Sequence, residues 1–470
     1  MALIIAGERS GVGKTTVTLS ILAFLAQQKS NTVQGFKVGP DYIDPMFHTA
    51  ITGRDSRNLD PVLTSPNYVR SCFALHSSTA DYAVVEGVMG LFDGVRLQNV
   101  ADYASTAHTA RLLDIPVLLV LDCSGLSGSI AAIAHGFRSL DSQIKIAGVV
   151  LNRVASDRHL ELLQAALDNI KMPVLGVVRR YNEITIPDRH LGLIPTVELP
   201  EITQVFDRLA HIAKTSFDWD KLLPLLRAPN TYSKGEQPFV PTNHKPLKIA
   251  IAYDRAFNFY YRDNFDLLRQ LDVEPIFWSP LADCSVPEDI AGFYFGGGFP
   301  EMFAEELAAN TRVREQLRQV IAQKIPVYAE CGGLMYLCDC IIDLQNRTWK
   351  MVGVIPTTAK MTSGLTLGYR QVFPFNSNSL FNPLLESPYL PVSLSLNHIW
   401  GHEFHRSKLD TIAPKPLWQI KSCSPLSQKV AEGWQIKGVS ASYIHLHWGN
   451  SQNLLKNWLN CCRDWKYRLL

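Results

Sequence analysis

At 470 residues the chain is too long for one ordinary hydrophobic core, so two domains of comparable size are expected. A formal net charge of +2 excludes a broad basic footprint for nucleic acid or an anionic membrane, leaving only local basic pockets for polyacidic small molecules. No stretch is apolar enough to span a bilayer, Met1–Ala6 runs into a Gly-rich loop rather than a signal-peptide cleavage site, and nine scattered cysteines lack paired zinc spacing, so a cytoplasmic protein with reduced thiols is expected.

The first element is the apolar run Leu3–Ala6, read as a strand. It leads into Gly7-Glu8-Arg9-Ser10-Gly11-Val12-Gly13-Lys14-Thr15-Thr16 and then a helical pattern, Val17–Ala26, whose Leu19, Leu22, Leu25 and Ala26 can face a core. Strand, glycine loop and helix in this order are the context of a phosphate loop. Gly11 and Gly13 let backbone N–H groups curl around phosphate oxygens, and the helix N-terminus at Thr15 and Thr16 adds positive potential. Lys14 can reach the β/γ-phosphates, and the Thr15 hydroxyl can bind Mg²⁺. An ATP site is expected here. Gly7 lies one position earlier than in the common motif, with Glu8 in its place. That offset is similar to the one in dethiobiotin synthetase-like ligases, which implies phosphorylation of a carboxylate or carbamate before an amide-type bond closes.

Acidic residues suited to magnesium follow in Lys37–Pro45 and in Glu86–Gly94, the latter after the strand Tyr82–Val85. Glu86 is the leading metal candidate, because a carboxylate leaving the carboxyl edge of a parallel strand sits where open α/β sheets place ligands. Asp41 is the next, while Asp41, Asp44 and Asp93 all admit a second reading as turn residues beside Pro or Gly. Asp122 reads as a further acid or a helix cap. Arg54, Arg57 and Arg96 flank these motifs and are candidates to pair with substrate carboxylates. With strands Pro116–Leu121, Ile146–Leu151 and Val174–Val178, the pattern is that of a parallel α/β sheet over residues 1–230. A polar, Pro-containing linker is expected over 231–246, and a second domain over 247–470.

In the second half Lys248–Ala252, Gly292–Phe295 and Pro326–Ala329 read as strands. Ile325–Glu330 runs straight into Cys331-Gly332-Gly333, after which Leu334, Tyr336 and Leu337 begin a helical pattern. Such a strand-turn-helix elbow exposes the sulfur beside a helix N-terminus, which lowers a thiol pKa and aims N–H groups at an oxyanion. Gly332 would supply one donor and the loop Gly296–Glu301 a second; the competing reading of Cys331 is a buried structural thiol. For a base, Ala441–Trp448 reads as a strand with His445 and His447 on one face, one acting as base while the other orients it or faces solvent. His402-Glu403-Phe404-His405 is one residue short of the helical zinc-protease motif, which excludes that metalloprotease reading.

Seven segments in order, Glu8–Thr16, Lys37–Pro45, Glu86–Gly94, Gly296–Glu301, Glu330–Gly333, Gly401–Ser407 and Ser442–Trp448, resemble the cobyrinate a,c-diamide synthases over essentially the whole chain. The resemblance implies an N-terminal P-loop (dethiobiotin synthetase-like) parallel-sheet ligase domain joined to a C-terminal class I glutamine amidotransferase α/β domain, with Cys331 as nucleophile and His445 as base. Many relatives of that amidotransferase class carry Glu two residues after the base; here it is His447, which leaves the third member of the triad open. The implied reaction is amidation of the a and c carboxylates of cobyrinate, a small-molecule substrate, with ATP, glutamine and Mg²⁺, through acyl phosphates. A homo-oligomer is compatible with this reading. Alternatives within the family are a nickel-tetrapyrrole a,c-diamide synthase and a cobyric acid synthase. A different class is a regulatory P-loop ATPase with an inactive amidotransferase domain, against which Lys14, Thr15, Glu86, Cys331 and His445 argue.

Overall fold

The computed structural model describes residues 1–28, 30–97, 100–180, 188–189, 192–193, 195–199, 201–229, 246–374, 398–424 and 426–468. The chain forms two compact units, Met1–Pro61 with Ser65–Glu236, and Val62–Thr64 with Gln237–Leu470. Apart from Pro246, the linker expected over 231–246 lies outside the described residues. Among the described residues no helix is long and apolar enough to cross a membrane.

The first unit is organised by a seven-stranded sheet in the order Arg57–Leu59, Val33–Val38, Tyr82–Glu86, Leu3–Gly7, Val117–Asp122, Ile146–Val154, Val174–Arg179, every neighbouring pair parallel. Parallel strands need crossovers, which helices such as Lys14–Gln27 and Ser129–Leu140 supply. Both faces are therefore covered, and Leu3–Gly7 and Val117–Asp122 are buried at every residue, as their unbroken apolar runs require. The chain fills one side of Leu3–Gly7 first, with Tyr82–Glu86 inserted last beside it, and then builds outward on the other. The carboxyl end of that strand is thus a switch point, where open α/β sheets bind ligands. The first helix starts at Lys14 rather than Val17, because Gly13 takes φ 94° and caps it in the left-handed region that glycine tolerates.

The second unit carries a sheet in the order Val273–Trp278, Leu247–Ala252, Gly292–Phe295, Val327–Glu330, Val439–Ser442, Trp434–Ile436, parallel except for the last pair. Alternation sorts its side chains: Phe293, Phe295, Val327 and Ala329 enter one core, Tyr294 and Tyr328 the core on the opposite face. A second sheet centres on Ile355–Pro374, against which Ile399–Leu409 runs antiparallel. The strand expected over Ala441–Trp448 stops at Ser442. Tyr443 N donates to Glu432 Oε1 (2.7 Å) and Ile444 N to Ser442 Oγ (2.9 Å), so these backbone donors are taken by side chains and leave the ladder.

Candidate active sites

In the first unit, Leu3–Gly7 delivers the loop to the switch point, and Gly11 and Gly13 both hold positive φ. The loop is braced from Ile146–Val154, two strands away: Asn152 Nδ2 donates to Val12 O (2.8 Å), and a Cβ on Gly13 would lie 2.2 Å from that same nitrogen. Arg153 reaches Gly11 O (3.1 Å) and Asp122 (2.6 Å). Asp122 also accepts from Arg9 Nη2 (3.0 Å), so it clamps two arginines about the loop. Lys14 Nζ donates to the carbonyl of Arg9 (3.3 Å), inside the arc where a phosphate chain would lie. Burial and the nearby Lys37 charge lower Lys14 to about 8. Thr15 and Thr16 lie in the first turn of the helix, whose N–H groups have no intrahelical acceptor.

Glu86, at the end of its strand and fully buried, meets this loop. Thr15 Oγ1 donates to Glu86 Oε1 at 2.6 Å, and Lys37 Nζ approaches the same oxygen at 3.1 Å. Glu86 Oε2 pairs with His48 Nε2 at 2.7 Å, and His48 Nδ1 lies 3.2 Å from Ser56 Oγ. Burial alone would raise the Glu86 carboxyl, but Lys37, His48 and Thr15 outweigh it and hold it well below the usual carboxylate range. Lys37 is likewise held charged: burial pulls its pKa down, while Asp44 at 2.6 Å and Glu86 push it above its ordinary value.

Asp41 spends Oδ1 on the N–H groups of Ile43 (2.8 Å) and Asp44 (3.0 Å), the capping use its turn context allowed, while its charge acts on Lys37. Asp93 binds Gly90 N (2.8 Å) in the same way. Of the three arginines considered for substrate, Arg54 is committed to Gln34 Oε1 (3.1 Å) and Thr79 Oγ1 (2.7 Å), Arg57 is buried, and Arg96 is exposed. Lys37 and His48 were not singled out from the sequence. A lysine inside the apolar run of Val33–Val38 was a usable signal for the first. His48 had none, since its ring reaches the sheet only because Gly35 lacks a side chain: a Cβ there would stand 2.9 Å from His48 Cβ.

In the second unit, Cys331 sits between Val327–Glu330 and the helix Gly332–Leu337 with φ 46° and ψ −102°, a strained turn of the kind that presents a nucleophile. The turn is pinned by Cys331 N donating to Ser442 O (2.7 Å) and Gly333 N donating to Gly296 O (3.0 Å). Gly332 opens the helix, and a Cβ on it would stand 3.1 Å from Gly298 N, so the two loops expected to furnish oxyanion donors are in contact. The elbow was expected to lower the thiol pKa, but here burial and the charge of Glu301 raise it, and the Gly332 N–H offsets this only in part.

His445 is fully buried, and its backbone exchanges hydrogen bonds with His402 (3.0 and 2.9 Å). Its ring packs on the glycine loop, where a Cβ at Gly297 would lie 2.2 Å from His445 Cε1. Burial, with His402 and His405 nearby, depresses its pKa far below the ordinary histidine value. The strand Ile399–Leu409 thus touches both residues, since Phe404 O lies 3.7 Å from Cys331 Sγ. His447 does not share a strand face with His445: its Nε2 faces Asp263 Oδ2 (3.2 Å), and its Nδ1 accepts from Gly449 N (3.2 Å). Glu330, unremarked in the sequence except as part of the elbow, is buried with Oε2 3.8 Å from His445 Nδ1.

Residues 3–194 match the family model described as the CobQ/CobB/MinD/ParA nucleotide binding domain, and residues 248–453 that of the CobB/CobQ-like glutamine amidotransferase domain. Three relatives, each named cobyrinate a,c-diamide synthase, align almost end to end. The Synechococcus sp. protein is 54% identical over 99% of this chain and 99% of its own. That of Synechocystis sp. is 49% identical over 100% and 95%, and that of Gloeobacter violaceus 43% identical over 98% and 97%.

Proposed function

The chain belongs to the cobyrinate a,c-diamide synthase family, and from that premise we propose that it amidates the a and c carboxylates of cobyrinate with ammonia drawn from glutamine, at the expense of ATP. What carries the reading is that one chain holds chemistry for both halves: a cysteine elbow strained at φ 46°, and a phosphate loop whose Thr15 meets Glu86 at 2.6 Å.

Glutamine acylates Cys331. The thiol proton passes to His445 as sulfur attacks the amide carbon, the oxyanion is received by N–H groups of the Gly332 and Gly298 segments, and ammonia leaves with the proton returned by His445. Resting Cys331 and His445 are both held neutral by burial, so the ion pair forms only as the reaction proceeds. Water then hydrolyses the thioester.

In the other unit, a carboxylate has no leaving group that ammonia can displace, so ATP converts it to an acyl phosphate. Gly11, Gly13, Lys14, Thr15 and Thr16 bind the phosphates. The Thr15 hydroxyl and Glu86 carboxylate are adjoining hard oxygen donors and suit Mg²⁺, with Asp41, whose Oδ1 is taken by backbone N–H groups, a further candidate. When bound, the ion neutralises charge on the β- and γ-phosphates. Lys37, charged and beside Glu86, is placed to compensate negative charge there. Nine free cysteines support a reducing, cytoplasmic setting.

The test is incubation with cobyrinic acid, ATP, Mg²⁺ and glutamine, followed by mass. Two successive acid-to-amide conversions are expected, lost in Cys331→Ala with glutamine and restored by free ammonia. Absence of any product from cobyrinic acid, with amidation of a nickel tetrapyrrole instead, would move the substrate within the family.

A further inference from the structure

The position two residues after the base, where the amidotransferase class often has Glu, is His447, and its ring is engaged elsewhere. The proton bookkeeping is explicit: Nδ1 accepts from Gly449 N, so Nε2 carries the hydrogen and donates it to Asp263. A different carboxylate stands behind His445. Glu330 Oε2 lies 3.8 Å from His445 Nδ1, while Oε1 accepts the N–H of Leu446 at 3.0 Å, the residue immediately after the base. The same carboxylate accepts from Tyr328 Oη (2.7 Å, to Oε1) and Tyr294 Oη (3.2 Å, to Oε2).

These contacts follow from the sheet. Tyr328 and Glu330 are two residues apart on one strand and so share a face, and Tyr294 presents from the adjoining strand to the same core. Glu330 pairs in register with Ser442, three residues before His445, and directly precedes Cys331. One side chain therefore ties the nucleophile's strand to the base's loop.

Resting on the amidotransferase reading above, we propose that Glu330, not His447, is the positioning residue of the glutaminase site: it fixes the loop that carries His445 and is the counter-charge that the imidazolium meets when it takes the Cys331 proton. The balance is simple. The S–H bond breaks, Nε2 gains the proton, Nδ1–H points toward Glu330, and the proton leaves with ammonia, so Glu330 itself gains nothing net. The other ionisable groups are placed differently. His402 and His405 face His445 and oppose its protonation; Glu301 and Glu403 bear on the thiol. Burial raises the Glu330 carboxyl to about 7, against the hydrogen bonds from Tyr328, Leu446 and Tyr294, so its ionisation falls within a measurable range.

The experiment is the pH profile of glutamine hydrolysis for the full chain, wild type, Glu330→Gln and Glu330→Asp, with Asp263→Asn beside them and circular dichroism to check folding. E330Q should lower kcat by about 10–100-fold with glutamine KM little changed, and should erase the limb that reports ionisation of Glu330, while E330D keeps a limb. An unaltered limb in E330Q overturns the proposal, as does loss of that limb in Asp263→Asn alone, which would return the role to His447. If E330Q does not fold, E330D decides: a displaced limb supports Glu330, and an undisplaced one overturns it. Wild-type protein that hydrolyses no glutamine would sink the amidotransferase reading together with this one, whereas wild-type hydrolysis with an unaltered E330Q limb sinks this one alone.

Discussion

His48 Nε2 and Glu86 Oε2 are 2.7 Å apart with neither side chain reachable by solvent, which fixes the carboxylate so that its other oxygen meets Thr15. A buried carboxylate held in this way can offer its oxygen to a cation without first reorienting.

His48→Ala should therefore act twice. Leaving Glu86 Oε2 without its partner should cost about 2–4 kcal/mol of stability, read by urea unfolding. The Mg²⁺ concentration for half-maximal ligation with ammonia should rise by about 10–100-fold. Unchanged Mg²⁺ dependence would reduce His48 to a packing residue.

With Lys14 as the proposed phosphate ligand, nucleotide binding should be a proton-linked event. Free, it is lowered to about 8; polyphosphate beside it favours the charged form and moves its pKa upward. Binding at about pH 8.5 should then take up protons, and binding at about pH 6.5 almost none from this group, because Lys14 is already charged there. Calorimetry in buffers of differing ionisation enthalpy reads this directly, and Lys14→Arg should abolish the uptake.

Gly297→Ala tests the packing of His445, the proposed base. The added methyl would stand 2.2 Å from His445 Cε1, so the ring must move. Glutamine hydrolysis should fall by about 100-fold or more, as displacement of a reacting group by about 1 Å predicts. Near-normal hydrolysis would show that His445 tolerates another position.

Glu432 governs part of the stability of the second unit against pH. Burial raises it from 4.5 to about 8, despite its bonds to Ser442 and Tyr443. The native state thus retains a proton that the unfolded chain has released. Stability should fall as pH rises from 4.5 through about 8, and level off above it. Glu432→Gln removes this contribution, so its Tm should decline less over that window; an identical slope in variant and wild type would contradict the assignment.

The sequence by itself determined the two-part α/β plan, the phosphate loop and the cysteine elbow. Each is a contiguous segment whose glycines, strand and helix meet within a few residues, so local conformational preference is enough to define it. Tertiary structure alone decided which groups stand behind them. His48 and Glu86 are 38 residues apart and Glu330 and Leu446 116, and their meeting depends on strand order and register rather than on neighbours in sequence. The same holds for His447. Alternation along Ala441–Trp448 placed it on one face with His445, but the ladder ends at Ser442 once Glu432 Oε1 takes Tyr443 N, and the next residues turn according to distant partners that no local period encodes.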